Sequence, residues 1–158
     1  MPTATGDDLV EILLVEDNPG DAILTRKVLE EITSLVNITV ATDGERAMSM
    51  LRAQRDGERV RPDLILLDIN LPRMSGHEVL AELKRDAELR RIPVVALTSS
   101  SAEEDIVAAY DHCINAYMTK SVDLGEYIEA MRCLQEFWFR TASIPKPARP
   151  GEPDQAGR

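Results

Sequence analysis

A basic surplus is the first thing missing from this chain: 28 acidic residues face 18 lysines and arginines, for a formal net charge of −10. Nucleic acid and anionic membranes are gripped by basic faces, so neither is an expected partner. Acidity of this size otherwise serves solubility. Long hydrophobic runs are missing too, since no apolar stretch approaches the roughly 20 residues that cross a bilayer. The opening residues, Met1 to Asp8, are polar and unlike a secretory leader, which makes the cytoplasm the expected location. Cysteine is scarce. Cys113 and Cys133 stand in no metal-like spacing, so a disulfide scaffold is excluded and both read as reduced thiols. His112-Cys113 lacks the further ligands of a zinc site and reads as a helix end.

What the chain does have is 158 residues, enough for one domain with its own core, and a stretch around which that core can form. Leu64-Ile65-Leu66-Leu67 is a run of large aliphatics, too short for a helix and typical of a strand buried on both faces. It ends abruptly at Asp68, and Asn70-Leu71-Pro72 follows. A carboxylate is rarely buried unpaired, so Asp68 belongs at the open carboxyl end of the strand. In open α/β sheets that end is where ligands bind. A loop cap would be the plainer role for Asp68.

Similar units recur on either side. Glu11 to Val15 is a short buried strand that stops at Glu16-Asp17, and Asn18-Pro19 starts a helix reaching about Ile32, with Ala22, Ile23, Val28, Leu29 and Ile32 as its apolar stripe. Val36 to Ala41 alternates as a β-branched strand, Asp43-Gly44 breaks it, and Ala47, Met48, Met50 and Leu51 mark a second helix. Residues 56–62 form a charged loop. Beyond the central strand, Ser75 is a candidate cap for a helix that buries Val79, Leu80 and Leu83. Val94 to Leu97 is the fourth strand and runs into the hydroxyls Thr98-Ser99-Ser100-Ser101, where Ser101 and Glu104 have the spacing of a capping box before Ile106, Val107 and Ala109. Ala116-Tyr117-Met118 is a fifth strand before Thr119-Lys120, and a last helix from about Asp123 carries Phe137-Trp138-Phe139.

Five strand-then-helix units predict a doubly wound parallel α/β sheet, three layers deep, with the flavodoxin-like order 2-1-3-4-5. The expected organisation is a tail at 1–8, one domain at 9–140, and a proline-rich, disordered tail at 141–158. In that order the first and third strands are neighbours, which crowds Glu16, Asp17 and Asp68 into one volume. Three close carboxylates repel one another unless a cation joins them, and a hard divalent ion such as Mg2+ suits oxygen ligands. Thr98 and Lys120 fall at the same sheet edge. A hydroxyl, an ammonium and a metal around one carboxylate would polarise a phosphoryl group, with Asp68 as nucleophile. Singly, each has a duller role: a solvated turn, a helix cap, a surface charge.

Taken together, Val15-Glu16-Asp17-Asn18, Leu67 to Gly76, Leu97-Thr98-Ser99 and Tyr117-Met118-Thr119-Lys120 strongly resemble the receiver domain of two-component response regulators, over roughly residues 10 to 140. The resemblance implies that Asp68 is the phosphoacceptor and that Glu16 and Asp17 are the acidic pair for Mg2+. Asn70 would lend its backbone carbonyl to the metal and its side chain to dephosphorylation. Thr98 and Tyr117 would be the switch pair, and Lys120 the phosphate-binding lysine. Mg-dependent self-phosphorylation and autodephosphorylation would accompany these roles. The opening Leu14 to Ala22 and the aromatic end of the last helix further resemble the single-domain regulators paired with bacterial and cyanobacterial phytochromes. A sensor histidine kinase of that type is then the expected partner, and a homodimer through the last helix the expected assembly. Phe137, Trp138 and Phe139 cannot all face one core, because consecutive helical residues point to different sides.

One residue departs from the family pattern. Receivers usually place a proline after the lysine, joined by a cis peptide, and Ser121 stands there instead. A cis bond before a non-proline residue costs about 2.5–4 kcal/mol. Two outcomes are expected: a strained cis bond, or a trans bond with Lys120 displaced. A receiver that binds partners without being phosphorylated is therefore the chief rival reading. An FMN carrier would share the fold, but Glu16-Asp17 would repel the FMN phosphate. A phosphohydrolase with an aspartyl nucleophile would want a second aspartate soon after Asp68, and a cap domain.

Overall fold

The computed structural model describes residues 9–53 and 60–145. The expected tail at 1–8, residues 56–59 of the charged loop, and the proline-rich tail from 146 onward lie outside the described residues. The described chain alternates strand and helix throughout: β1 (Val10–Val15), α1 (Pro19–Ile32), β2 (Val36–Ala41), α2 (Gly44–Arg52), β3 (Leu64–Leu67), α3 (Gly76–Arg85), β4 (Val94–Thr98), α4 (Glu103–Asp111), β5 (Ala116–Thr119) and α5 (Leu124–Gln135). A 3-10 turn at Leu89–Arg91 precedes β4, and α5 runs into a π-helical turn at Glu136–Thr141.

All strand pairs are parallel, and the sheet order is β2-β1-β3-β4-β5, as expected from the sequence. Val15 pairs with Leu67 and Leu67 with Ala96, so β1 and β3 finish level while β4 runs two residues further, to Thr98. The central aliphatics alternate between two cores. Leu13, Val15, Ile65 and Leu67 face α2, α3 and α4, where they meet Met48, Leu51, Val79, Leu80, Leu83 and Ala109. Ile12, Leu14, Leu64 and Leu66 face α1 and α5, where they meet Val28, Leu29, Tyr127, Met131 and Leu134. Every residue of β3 is fully buried, which is why it carries no polar residue until the strand ends.

Helix starts follow the sequence with one exception. Asn18, Asp43 and Asp123 each accept a backbone N–H of their own first turn, and Ser75 forms a reciprocal capping box with Glu78. The box expected from Ser101 and Glu104 does not form. Helix α4 begins after Ala102, which has no side-chain cap, and the Ser100 hydroxyl instead takes the Ala102 N–H at 3.4 Å. Two expected core positions also differ. Ile23 of α1 and Val107 of α4 are exposed, whereas Thr25 is buried with its hydroxyl against that of Tyr127 on α5. Periodicity cannot foresee that pairing, since its two members lie 102 residues apart.

The aromatic end is split between core and solvent. Trp138 and Phe139 lean on the α1–α5 core while Phe137 stays exposed, its ring edge-on to Trp138 at 5.1 Å. His112 closes α4 as its C-cap and Cys113 turns away with φ 64°, so this pair is a helix end, as read from the sequence.

Candidate functional site

Strand ends build the site. Asp68 follows the last residue of β3, and its N–H is tied to the Val15 carbonyl at 3.0 Å; Glu16 follows β1 and is tied to Ala41 at 3.0 Å. Those bonds extend the ladders by one residue and hold both side chains at the sheet edge. Glu16 and Asp68 are buried, Asp17 is exposed, and the three offer carboxylate oxygens that all lie within 4.8 Å of one another. Asn70 is exposed and donates its N–H to Asp68 Oδ1 at 3.0 Å, which turns the chain sharply after the acid. Behind it, Gly76 opens α3 directly against this turn. A Cβ there would collide with the Asp68 carbonyl oxygen and Ile69 Cα, so only glycine lets the helix dock so closely.

Lys120 arrives from the far side of the sheet. Its N–H is bonded to the Thr98 carbonyl at 2.7 Å, and its Nζ reaches Glu16 at 2.7 Å, Asp21 at 3.3 Å and Asp68 at 3.7 Å. Burial pulls this ammonium down, but Glu16, Asp68 and Asp21 outweigh it and hold it above the ordinary lysine value. Burial pushes Glu16 up to about 7, only partly offset by its bond to Lys120. One ammonium among four carboxylates leaves a negative excess, and the oxygen-only donor set fits a hard divalent cation. Glu16, Asp17 and Asp68 are the residues that could hold it.

No described peptide bond is cis, so Lys120–Ser121 is trans. The expected displacement of Lys120 does not accompany it: the pinned backbone and long side chain carry Nζ into the carboxylates all the same. Ser121 has a separate task, accepting the Asp123 N–H at 3.1 Å and donating to Glu126 at 2.7 Å ahead of α5.

Thr98 is fully buried, with Oγ1 accepting the Ser100 N–H at 3.3 Å. The Tyr117 hydroxyl donates to the Ser100 carbonyl at 2.9 Å, so Thr98 and Tyr117 converge on Ser100. Burial raises the Tyr117 phenol above its ordinary value, against the lowering effect of that bond. Ser100, Asp21 and the Asp105 that receives the Ser100 hydroxyl were not singled out in the sequence. Asp21 had a local signal, being three residues after the α1 cap Asn18; Ser100 lay inside a run of hydroxyls that does not distinguish its members.

The pattern of the response regulator receiver domain matches residues 12–132. The chain belongs to that family. Among relatives of this receiver, response regulator Rcp1 of Synechocystis sp. is 43% identical over 135 residues, covering 85% of this chain and 92% of Rcp1. The crystal structure of the phosphorylated cyanobacterial phytochrome response regulator RcpA superposes with a TM-score of 0.82 at 43% identity, covering 87% of this receiver and 99% of that chain. The Mn(2+)-bound form of Rcp1 gives 0.79 at 42% identity, with 86% and 99% covered. Two-component signalling through the receiver fold is therefore the class to which this chain belongs.

Proposed function

We propose that this receiver accepts a phosphoryl group on Asp68 from a sensor histidine kinase of the phytochrome type and changes its interaction surface in response. The observation that carries the reading is one carboxylate, Asp68, at a sheet edge beside two further carboxylates and within 3.7 Å of a lysine ammonium. An Asp68 oxygen attacks phosphorus, the bond from phosphorus to the donor breaks, and the donor leaves with that electron pair. Water later attacks the acyl phosphate, returning the carboxylate and inorganic phosphate. Lys120 neutralises phosphoryl charge, and the Thr98 hydroxyl keeps its proton free to donate, because its oxygen is the acceptor toward Ser100. Mg2+ held by Glu16, Asp17, Asp68 and the Asn70 carbonyl would supply Lewis-acid stabilisation of the phosphoryl oxygens. Relatives support these assignments: RcpA has been solved phosphorylated, as a phytochrome response regulator, and Rcp1 with Mn(2+). We place the protein in the cytoplasm, where such kinases deliver their phosphoryl groups, and assign it a homodimer with Phe137, Trp138 and Phe139 at the contact.

Intact-mass spectra after incubation with acetyl phosphate test the central step. The expected result is a gain of one phosphoryl group that needs Mg2+ and vanishes in Asp68→Asn. An unmodified protein that still binds Mg2+ would instead make this a receiver that works by binding alone.

A further inference from the structure

Outside the carboxylate cluster, the described residues hold a second polar network, and its centre is Ser100. Each polar group of Ser100 is tied to a different element. The N–H goes to Thr98 at the end of β4, the carbonyl takes the Tyr117 hydroxyl from β5, and the hydroxyl goes to Asp105 in the first turn of α4. Asp105 in turn meets His77 Nε2 of α3 at 3.3 Å. Bonds from Ser100 and His77 hold the Asp105 carboxyl below its ordinary value, so it enters the network as an anion. His77 Nδ1 is buried without a partner, so a tautomer that donates from Nε2 to Asp105 leaves no N–H stranded.

The placement of His77 matters as much as its bond. It is the residue after Gly76, whose backbone lies against the carbonyl of Asp68 and is bonded to Ile69 at 2.9 Å. The α3 end of the network is therefore fixed to the phosphoacceptor turn itself. The α4 end is loosely held by comparison: Ala109 is the one buried residue of that helix, and its N-terminus lacks a side-chain cap. Apart from the half-buried Ile106, a polar tether is what the start of α4 and the loop before it have to seat them. His112, at the other end of α4, brings its ring to 6.4 Å from that of His77, so the same imidazole lies along two turns of the helix.

We propose that His77 and Asp105 form a latch between α3 and α4 that preorganises the Thr98–Ser100 loop for the phosphoryl group on Asp68. The proposal rests on the phosphoacceptor reading above and extends it to two positioning residues that do not touch the phosphoryl group. With the latch closed, Ser100 holds Thr98 as an acceptor and Tyr117 as a donor, and the loop is already shaped when phosphate arrives. With it broken, Asp105 and the Ser100 bonded to it lose their anchor on α3, and the loop must be ordered during the reaction, which slows the step.

The test is a double-mutant cycle on the full chain, following phosphoryl uptake from acetyl phosphate with Mg2+ by intact mass. His77→Phe keeps the ring volume without the donor, Asp105→Ala removes the acceptor, and His77→Gln restores a donor near the position of Nε2. The expected result is a loss of roughly threefold to tenfold in maximal rate for His77→Phe and for Asp105→Ala, with no further loss when they are combined. The His77→Gln variant should stay within about twofold of the parent. Faster amide exchange in residues 100–106 should accompany both lesions without phosphate. Unchanged rates, independent effects that multiply, or a His77→Gln variant as slow as His77→Phe would overturn the latch. A parent that takes up no phosphoryl group would remove the phosphoacceptor reading and the coupling with it, an outcome visible before any variant is made.

Discussion

Asp105 shows how a single carboxylate can be placed by its neighbours rather than by its helix. Its bonds from Ser100 and His77 lower its folded-state value below 3.8, the ordinary aspartate figure, so the unfolded chain takes up its proton first as acid is added. The stabilisation is thus complete above the unfolded value and drains away as pH falls through the folded one. Thermal melts of the parent and Asp105→Ala should differ fully above the ordinary aspartate value, and the gap should narrow as pH falls below it. A gap that is unchanged in acid would mean that Asp105 contributes through packing alone. At this scale the sequence was most legible where a residue closes a strand. Glu16 and Asp68 each interrupt an apolar run, where burial allows few reasons for a charge, and Lys120 closes the fifth strand just after Thr119. Ser100, His77 and Asp105 were invisible because each is an ordinary loop or helix residue until the fold brings α3 beside α4.

Helix α3 carries the plainest packing test among the elements. Gly76 lies so near the backbone of Asp68 and Ile69 that an added methyl has no side chain to push aside, only main chain. Gly76→Ala should cost about 1–3 kcal/mol in urea unfolding, as overpacking does, although alanine is the better helix former. It should also slow phosphoryl uptake, since the turn that moves is the one bearing Asp68. Preserved stability would show that the turn can yield. Element boundaries were readable from caps and prolines: Asn18, Asp43, Ser75 and Asp123 all begin helices where their side chains accept a first-turn N–H. The box at Ser101 does not form because α4 starts one residue later, after Ala102, and the side-chain bond across that start runs from Ser100 to Asp105. The α1 stripe differs from its apolar pattern at Ile23, which is exposed, while Thr25 is buried because a second hydroxyl meets its own.

At the scale of the whole molecule, the β5 edge of the sheet is flanked by α4 and α5, and apolar surface is left open here as it is at Ile23 and Leu24 of α1. Val107 and Tyr110 of α4 are about half exposed, as is Phe137 beyond α5, even though Trp138 and Phe139 next to it are drawn into the α1–α5 core. A lone exposed apolar residue needs no explanation, but an aromatic held edge-on against a tryptophan at a helix end is the kind of rigid, amphipathic anchor that interfaces favour. The proposed homodimer would bury this ring against a second copy. Sedimentation of the parent across micromolar concentrations should then show a monomer–dimer equilibrium, and Phe137→Asp should weaken it by roughly 30-fold or more, the effect of removing about 2 kcal/mol of anchor and burying a charge in its place. Thermal stability of the monomer should be little altered, because Phe137 is not part of either core. A parent that sediments as a monomer throughout would leave Phe137 as a surface aromatic and confine the proposed switch to its face toward the kinase. If instead the dimer tightens when Asp68 is phosphorylated and fails to tighten in Asp105→Ala at matched phosphorylation, the loop at Ser100 is what links the sheet edge holding Asp68 to the one bearing β5.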